Sequence, residues 1–249
     1  MSEVQIGVYP DADAVSRAVA NRMAGAILRT LAEQEQAHIC ITGGRGGHGA
    51  LRSLAGDAGI DWRRVHIWWS DERFLPAGDT QRNDTMADDA LLGEVEVPST
   101  NVHRMPASDQ VADVIRAAEA YTAELAAFGD PCPRFCVSIL GMGEDGHVAS
   151  LFPEHPGLRE TRPAFAVTDS PKPPPVRVSM SFGSINAADE VIIVASGEGK
   201  ADAVGLLVND PGPLAVPAAG AHGRALTFLA VDSAAAVHLP PGLTRHASP

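Results

Sequence analysis

Four short apolar runs punctuate the chain: His38-Ile-Cys-Ile41, Val65-His-Ile-Trp-Trp69, Cys136-Val-Ser-Ile-Leu140 and Val191-Ile-Ile-Val-Ala195. They are near-continuous rather than alternating, which suits strands covered on both faces, as in a parallel sheet. Val4 to Tyr9 and Leu226 to Val231 predict two further strands. Between the runs the period lengthens. Val15, Val19, Met23, Ile27 and Leu31 recur every four residues and predict an amphipathic helix, capped by Asp11 or Asp13. Val111, Val114, Ile115, Ala118, Leu125 and Phe128 predict a second helix, opened by Ser108 or Asp109 and closed by Gly129-Asp-Pro131. A third runs from Lys200 to Val208 and ends at Asn209-Asp-Pro-Gly212. Strands alternating with helices make βαβ units, so the expected class is α/β. The Pro-rich stretches Pro171–Pro175 and Pro211–Pro217 are short enough to be loops. The expectation is one domain over residues 1–249, with a loosely held tail from about 240.

Composition narrows the function classes. At 249 residues, 45% hydrophobic and 20% charged, the chain has the balance of a soluble globular protein and can bury a large core without disulfide or metal. Nineteen Lys and Arg against 31 Asp and Glu leave a net charge of −12. That argues against a nucleic-acid or anionic-membrane surface, though a pocket can be locally basic and take an anionic small molecule. Three cysteines with no CxxC make a disulfide framework unexpected. Met1-Ser2-Glu3 opens without a basic or apolar leader, and no run reaches 18 apolar residues, so the expected location is cytoplasmic.

In an open parallel sheet ligands bind at the carboxyl ends of the strands, so the residues following each strand matter most. The first apolar run leads into Gly43-Gly-Arg-Gly-Gly-His-Gly49. Backbone N–H groups freed by glycine, at the start of a helix, make a phosphate cradle. Gly44-x-Gly46-x-x-Gly49 also fits the dinucleotide fingerprint, but no acidic residue stands about 20 positions on at a strand end, and no Walker A lysine follows. A plain Gly-rich turn is the alternative. The second run ends in Ser70-Asp-Glu-Arg73, either a functional rim or a solvated loop, with Arg73 the natural anion partner. The third ends in Gly141-Met-Gly-Glu-Asp-Gly-His147, which sets Asp145 two residues from His147. A carboxylate there can fix the imidazole tautomer and stabilise its protonated form. The fourth leads to Lys200 at a helix start, where a cation opposes the dipole unless an anion compensates. Lys172 and Arg177 add two more cations. No GxSxG or HExxH is present, Cys132-x-x-x-Cys136 reaches into a core strand, and nothing requires a metal. The residues alone describe a phosphorylated small molecule and acid–base or hydrolytic chemistry.

Ser70-Asp-Glu-Arg-Phe-Leu-Pro76 and Gly141-Met-Gly-Glu-Asp-Gly-His-Val-Ala-Ser-Leu-Phe-Pro153 closely resemble the two signature segments of 6-phosphogluconolactonases. Asn83, Lys172-Pro173 with Arg177 and Ser179, and Gly197-x-x-Lys200 match in the same order, so the resemblance spans residues near 40 to 205. It implies a Rossmann-like, open, mainly parallel sheet with helices on both faces (the NagB/RpiA-like fold), shared with glucosamine-6-phosphate deaminases. It also implies hydrolysis of 6-phospho-D-glucono-1,5-lactone to 6-phosphogluconate, without metal or cofactor, in the oxidative pentose phosphate pathway. The deaminases share the glycine loop and the GxDGH element but continue like A-F-N-E-P after the histidine; here Ala149-Ser-Leu-Phe-Pro153 has the lactonase form. One departure stands out. The family's first loop resembles G-G-S-T-P, whereas Gly43-Gly44 are followed here by Arg45-Gly46-Gly47.

The resemblance assigns His147 as base, Asp145 as its partner, Arg73 to the oxyanion, and Asp71 to orienting Arg73 or a water. Gly43, Gly44, Arg45, Asn83, Gly141, Lys172, Arg177 and Lys200 would bind substrate, with the phosphate among Gly43, Gly44, Arg45, Lys172 and Arg177. The expected partner is a small-molecule sugar-phosphate lactone, with no nucleic acid and no membrane, and the chain a monomer or homodimer. A catalytically idle sugar-phosphate sensor on the same fold is the non-enzymatic alternative.

Overall fold

The structure, a computed structural model, describes residues 3–57, 59–209, 212–240 and 245–246. Its strands are β1 (Glu3–Tyr9), β2 (Ala37–Ile41), β3 (Val65–Trp69), β4 (Asp71–Arg73), β5 (Val102–His103), β6 (Val137–Gly141), β7 (Ala164–Val167), β8 (Arg177–Met180), β9 (Glu190–Ala195), β10 (Leu226–Asp232) and β11 (Arg245–His246). Its α-helices are α1 (Ala12–Glu33), α2 (Gly44–Ala55), α3 (Asn83–Ala87), α4 (Val114–Ala127), α5 (Phe182–Ile185) and α6 (Ala201–Val208). All six predicted strands are present, within a few residues of their expected ends. They lie in one parallel sheet ordered β11-β1-β10-β9-β6-β2-β3-β5. The α/β expectation holds.

The apolar runs are buried for the reason their pattern suggests. Every residue of β3 is buried, Trp68 and Trp69 completely. The α1 stripe Val15, Val19, Met23, Ile27 and Leu31 packs into the same core, each side chain contributing roughly 1.5–3 kcal/mol by leaving water. Asp11 is the cap, accepting from Ala14 N at 2.8 Å. One apolar cluster joins these elements to β7 and β8. No described helix is long and apolar enough to cross a membrane.

One expectation needs correction. The second helix starts at Val114, not near Ser108. The Asp109 carboxylate accepts the N–H of Ala77 at 3.0 Å, while Asp113 is extended and caps by accepting from Arg116 N at 2.9 Å. Its buried face is Val114, Ala117, Ala118, Tyr121 and Leu125; Ile115 faces outward, and Phe128 is the C-cap. Lys200 does open the third helix, as the N-cap of α6. It closes a 3-10 turn, Glu198–Lys200, that leads into α6. Of the tail from Pro240, residues 241–244 and 247–249 lie outside the described residues, and β11 pairs with β1 at Gly7 and Val8.

A second sheet was not foreseen. β4, β8 and β7 form an antiparallel ribbon, with Asp71 opposite Ser179 and Arg73 opposite Arg177. Ser70 bridges the two sheets: its N–H donates to Ile41 O at 2.9 Å and its carbonyl accepts from Met180 N at 2.8 Å. Meanwhile β2 has β3 on one side and β6 on the other, so the chain reverses direction across the sheet at this point. That reversal opens a crevice beyond the strand ends, roofed by the ribbon.

Candidate active site

The crevice is a cleft of about 650 Å³. Eleven of the twelve candidate residues line it, and the twelfth, Asp145, sits behind His147.

The β2 wall is the glycine loop. Gly44 adopts φ +76° and leads directly into α2. A Cβ on Gly43 would collide with Asn83 Oδ1, so glycine is what lets the loop lie against α3. Asn83 is itself fixed, its Nδ2 donating to Asp71 O at 2.8 Å and to Asp71 Oδ1 at 3.3 Å. Arg45 sits in the exposed first turn of α2 and lines the cleft.

The ribbon supplies the second wall. Asp71 and Glu72 are buried, which rules out a solvated loop for Ser70–Arg73. Asp71 Oδ2 accepts from Ser150 Oγ at 2.7 Å and lies 3.9 Å from Arg177 Nη1. Glu72 points away from the cleft, accepting from the N–H groups of Arg73, Asn83 and Asp84 at 2.7–2.8 Å. Burial and the nearby Asp84 charge push its carboxyl up to about 8, against Arg82 and those donors. Arg82 is only 1% exposed, yet it pairs with Asp84 through two bonds and reaches the carbonyls of Arg73, Leu75 and Met105. Glu72, Arg82 and Asp84 thus brace β4 against α3. Glu72 falls within the Ser70–Pro76 signature, but no motif marks Arg82 and Asp84, because burial of a charged residue leaves no periodic signal in a loop.

Arg177 occupies an unexpected place. It is buried, with Nε donating to Pro174 O at 3.0 Å and Nη2 to the carbonyls of Lys172 and Pro173 at 3.0 and 3.1 Å. Only Nη1 turns towards Asp71 and the cleft. Burial lowers the Arg177 pKa, and the Asp71 charge opposes that. Arg73 also lines the cleft, with Nη1 donating to Gln81 O at 2.6 Å.

The loop after β6 carries Asp145 and His147. His147 Nδ1 lies 2.5 Å from Asp145 Oδ1, and since a carboxylate only accepts, Nδ1 carries the proton. Among the described residues Nε2 has no hydrogen-bond partner, and His147 lines the cleft. Lys172 Nζ reaches the same carboxylate oxygen at 3.1 Å. Burial would raise the Asp145 pKa, but the hydrogen bonds and charges of His147 and Lys172 outweigh it and hold the carboxyl well below the usual range. Lys200 completes the cationic side. Burial and the Lys172 and Arg45 charges lower its pKa while Glu144 and Asp145 raise it, so these groups share one field. No group of described residues is arranged to hold a metal ion.

Sequence reasoning missed Ser150, whose hydroxyl ties the His147 loop to Asp71 across the cleft; Ala149 before it is held at φ +50°. The resemblance carried Ser150 only as one letter of a signature.

Comparison with known proteins adds an independent line. The family model for glucosamine-6-phosphate isomerases/6-phosphogluconolactonase matches residues 10–229. A 6-phosphogluconolactonase of Streptomyces coelicolor is 47% identical over 255 aligned positions, covering 98% of both chains. Among solved structures, the 6-phosphogluconolactonase of Thermotoga maritima superposes with a TM-score of 0.83 at 27% identity, over 93% of this chain and all of the other. A monomeric glucosamine-6-phosphate deaminase superposes at 0.78 with 18% identity, over 96% of this chain and 100% of that one, a likeness of fold. The chain belongs to the glucosamine-6-phosphate isomerase/6-phosphogluconolactonase family.

Proposed function

We propose that this protein hydrolyses 6-phospho-D-glucono-1,5-lactone to 6-phosphogluconate, the lactonase step of the oxidative pentose phosphate pathway. The observation that carries the reading is the Asp145–His147 pair, with Nε2 free, in a cleft also lined by Arg45, Arg73, Lys172, Arg177 and Lys200. His147 Nε2 takes a proton from water as its oxygen bonds to the lactone C1. The C1–ring-oxygen bond then breaks, and the imidazolium returns the proton to the departing oxygen. Asp145 holds the tautomer and stabilises the imidazolium. Arg73 faces the oxyanion, where a fixed cation acts on charge as it develops. Asp71, tied to Ser150 and Asn83, positions rather than accepts protons.

The phosphate is assigned to the Gly43 and Gly44 amides, Arg45, Lys172 and Lys200, which share one side of the cleft. Arg177 mainly holds the Lys172–Pro174 backbone, since three of its hydrogen bonds run there. Against the deaminase reading, the segment after His147 offers Ser150, Leu151 and Phe152, all buried and none a carboxylate.

The test supplies freshly generated lactone and follows 6-phosphogluconate through excess dehydrogenase, subtracting spontaneous hydrolysis. His147→Ala is expected to fold normally and lower kcat by about 10²–10⁴. Near-native turnover would remove His147 from the mechanism, and no wild-type rate above background would refute the lactonase reading.

A further inference from the structure

Two side-chain donors converge on one oxygen. Asp145 Oδ1 accepts from His147 Nδ1 at 2.5 Å and from Lys172 Nζ at 3.1 Å, and the two nitrogens lie only 3.5 Å apart. His147 and Lys172 therefore compete for Asp145. An ammonium beside Nδ1 also opposes the imidazolium that must form as water attacks. As placed, the base is held back by its neighbour.

The Lys172 backbone is anchored while its side chain is free to move. Its N–H donates to Ser170 Oγ at 3.2 Å, and its carbonyl accepts from Ser170 Oγ at 2.8 Å and Arg177 Nη2 at 3.0 Å. The side chain is 39% exposed and lines the cleft, where it shares a field with Lys200 and Arg45. A phosphate among these cations brings nearly two negative charges and three acceptor oxygens, against one charge on a carboxylate already serving His147.

Building on the lactonase reading, we propose that Lys172 is a phosphate-operated latch on the catalytic pair: it rests on Asp145 until the phosphate of the substrate draws it away, leaving Asp145 to His147 alone. Lys172 is then a specificity-determining residue that acts on the chemical step as well as on binding. The phosphate, remote from the reacting carbonyl, contributes to kcat because its binding removes a charge that opposes the transition state.

The test uses D-glucono-1,5-lactone, which lacks the phosphate, with and without phosphite dianion as a separate activator. In the wild type, phosphite is expected to accelerate hydrolysis about tenfold, part of the 10²–10⁴ that an oriented base supplies. Lys172→Met is expected to hydrolyse the phosphate-free lactone about tenfold faster than wild type without phosphite, and to gain nothing when phosphite is added. Lys172→Gln, polar but uncharged, should behave alike. Lys200→Met removes a cation of the same cluster that makes no hydrogen bond to Asp145, so it should weaken phosphite binding. A plain phosphate ligand would lose activation without any gain on the phosphate-free lactone, and that result overturns the latch. So would equal phosphite activation in Lys172→Met and wild type. A wild type inert towards the phosphorylated lactone refutes the lactonase reading and the latch with it; turnover of that lactone together with either of the preceding results refutes the latch alone.

Discussion

Gly143→Ala is the sharpest perturbation of the Asp145–His147 pair, because it adds one methyl group and removes nothing. A Cβ at this position lies well inside van der Waals contact with Nδ1 and Cε1 of His147 and with Oδ1 of Asp145. Ordinary contact begins near 3.4 Å, so something must retreat by about 1 Å or more. The backbone is poorly able to yield: Gly143 N–H donates to His147 O at 2.8 Å, and Gly146 N–H donates to Gly143 O at 3.1 Å. The imidazole is hemmed in as well, with the Phe152 ring 4.7 Å from its centroid and Lys172 Nζ 3.5 Å from Nδ1. The pair itself therefore separates. A misplacement of about 1 Å costs on the order of 100-fold in rate, or about 2.7 kcal/mol of barrier. Local overpacking adds about 1–3 kcal/mol of destabilisation, a Tm loss of several degrees. The coupled dehydrogenase assay reads kcat, and a melting curve shows that the fold survives. A variant with kcat within twofold of wild type would mean that the Asp145–His147 geometry does not set the rate.

Arg177→Ala should lower Tm and raise KM together, because the carbonyls of Lys172, Pro173 and Pro174 lose its guanidinium and the Lys172 loop is released. Arg177→Lys should not rescue it, since an ammonium cannot reproduce the planar fork; a lysine variant with wild-type KM and Tm would refute the anchoring role. A pH effect follows from the imidazole stack formed by His38, His66 and His103 beside Trp68 and Phe128. Burial first, then the neighbouring imidazoles, push His38 and His66 down to about 4 from 6.5. Between those values the unfolded chain binds more protons than the fold, so this stabilisation is complete above about pH 6.5 and is lost as pH falls through about 4. Tm should decline over that window, and His66→Gln should flatten the slope; an unchanged slope would exclude the stack as its source.

The parallel sheet and the strand-end positions of the chemistry were legible in the sequence. Near-continuous apolar runs have one stable use, burial on both faces, and the residues after such strands must meet at the sheet's carboxyl edge. The pairing of Asp145 with His147 was legible for the same local reason, since two residues separated by one glycine stay within reach of each other wherever the loop goes. What the tertiary structure alone decided is non-local. The start of α4 depended on which acceptor Asp109 and Asp113 each found, and Ala77 lies 32 residues from Asp109. The antiparallel ribbon escaped notice because β4 and β8 are three and four residues long and carry charges at their ends. That ribbon sets Arg177 against the carbonyls of Lys172, Pro173 and Pro174, so that it anchors their loop. It also joins Asp71 to Ser150, 79 residues apart. Lys172 shows the division most clearly. The chain marks it as one cation among several, and only folding brings its ammonium to the same oxygen as His147.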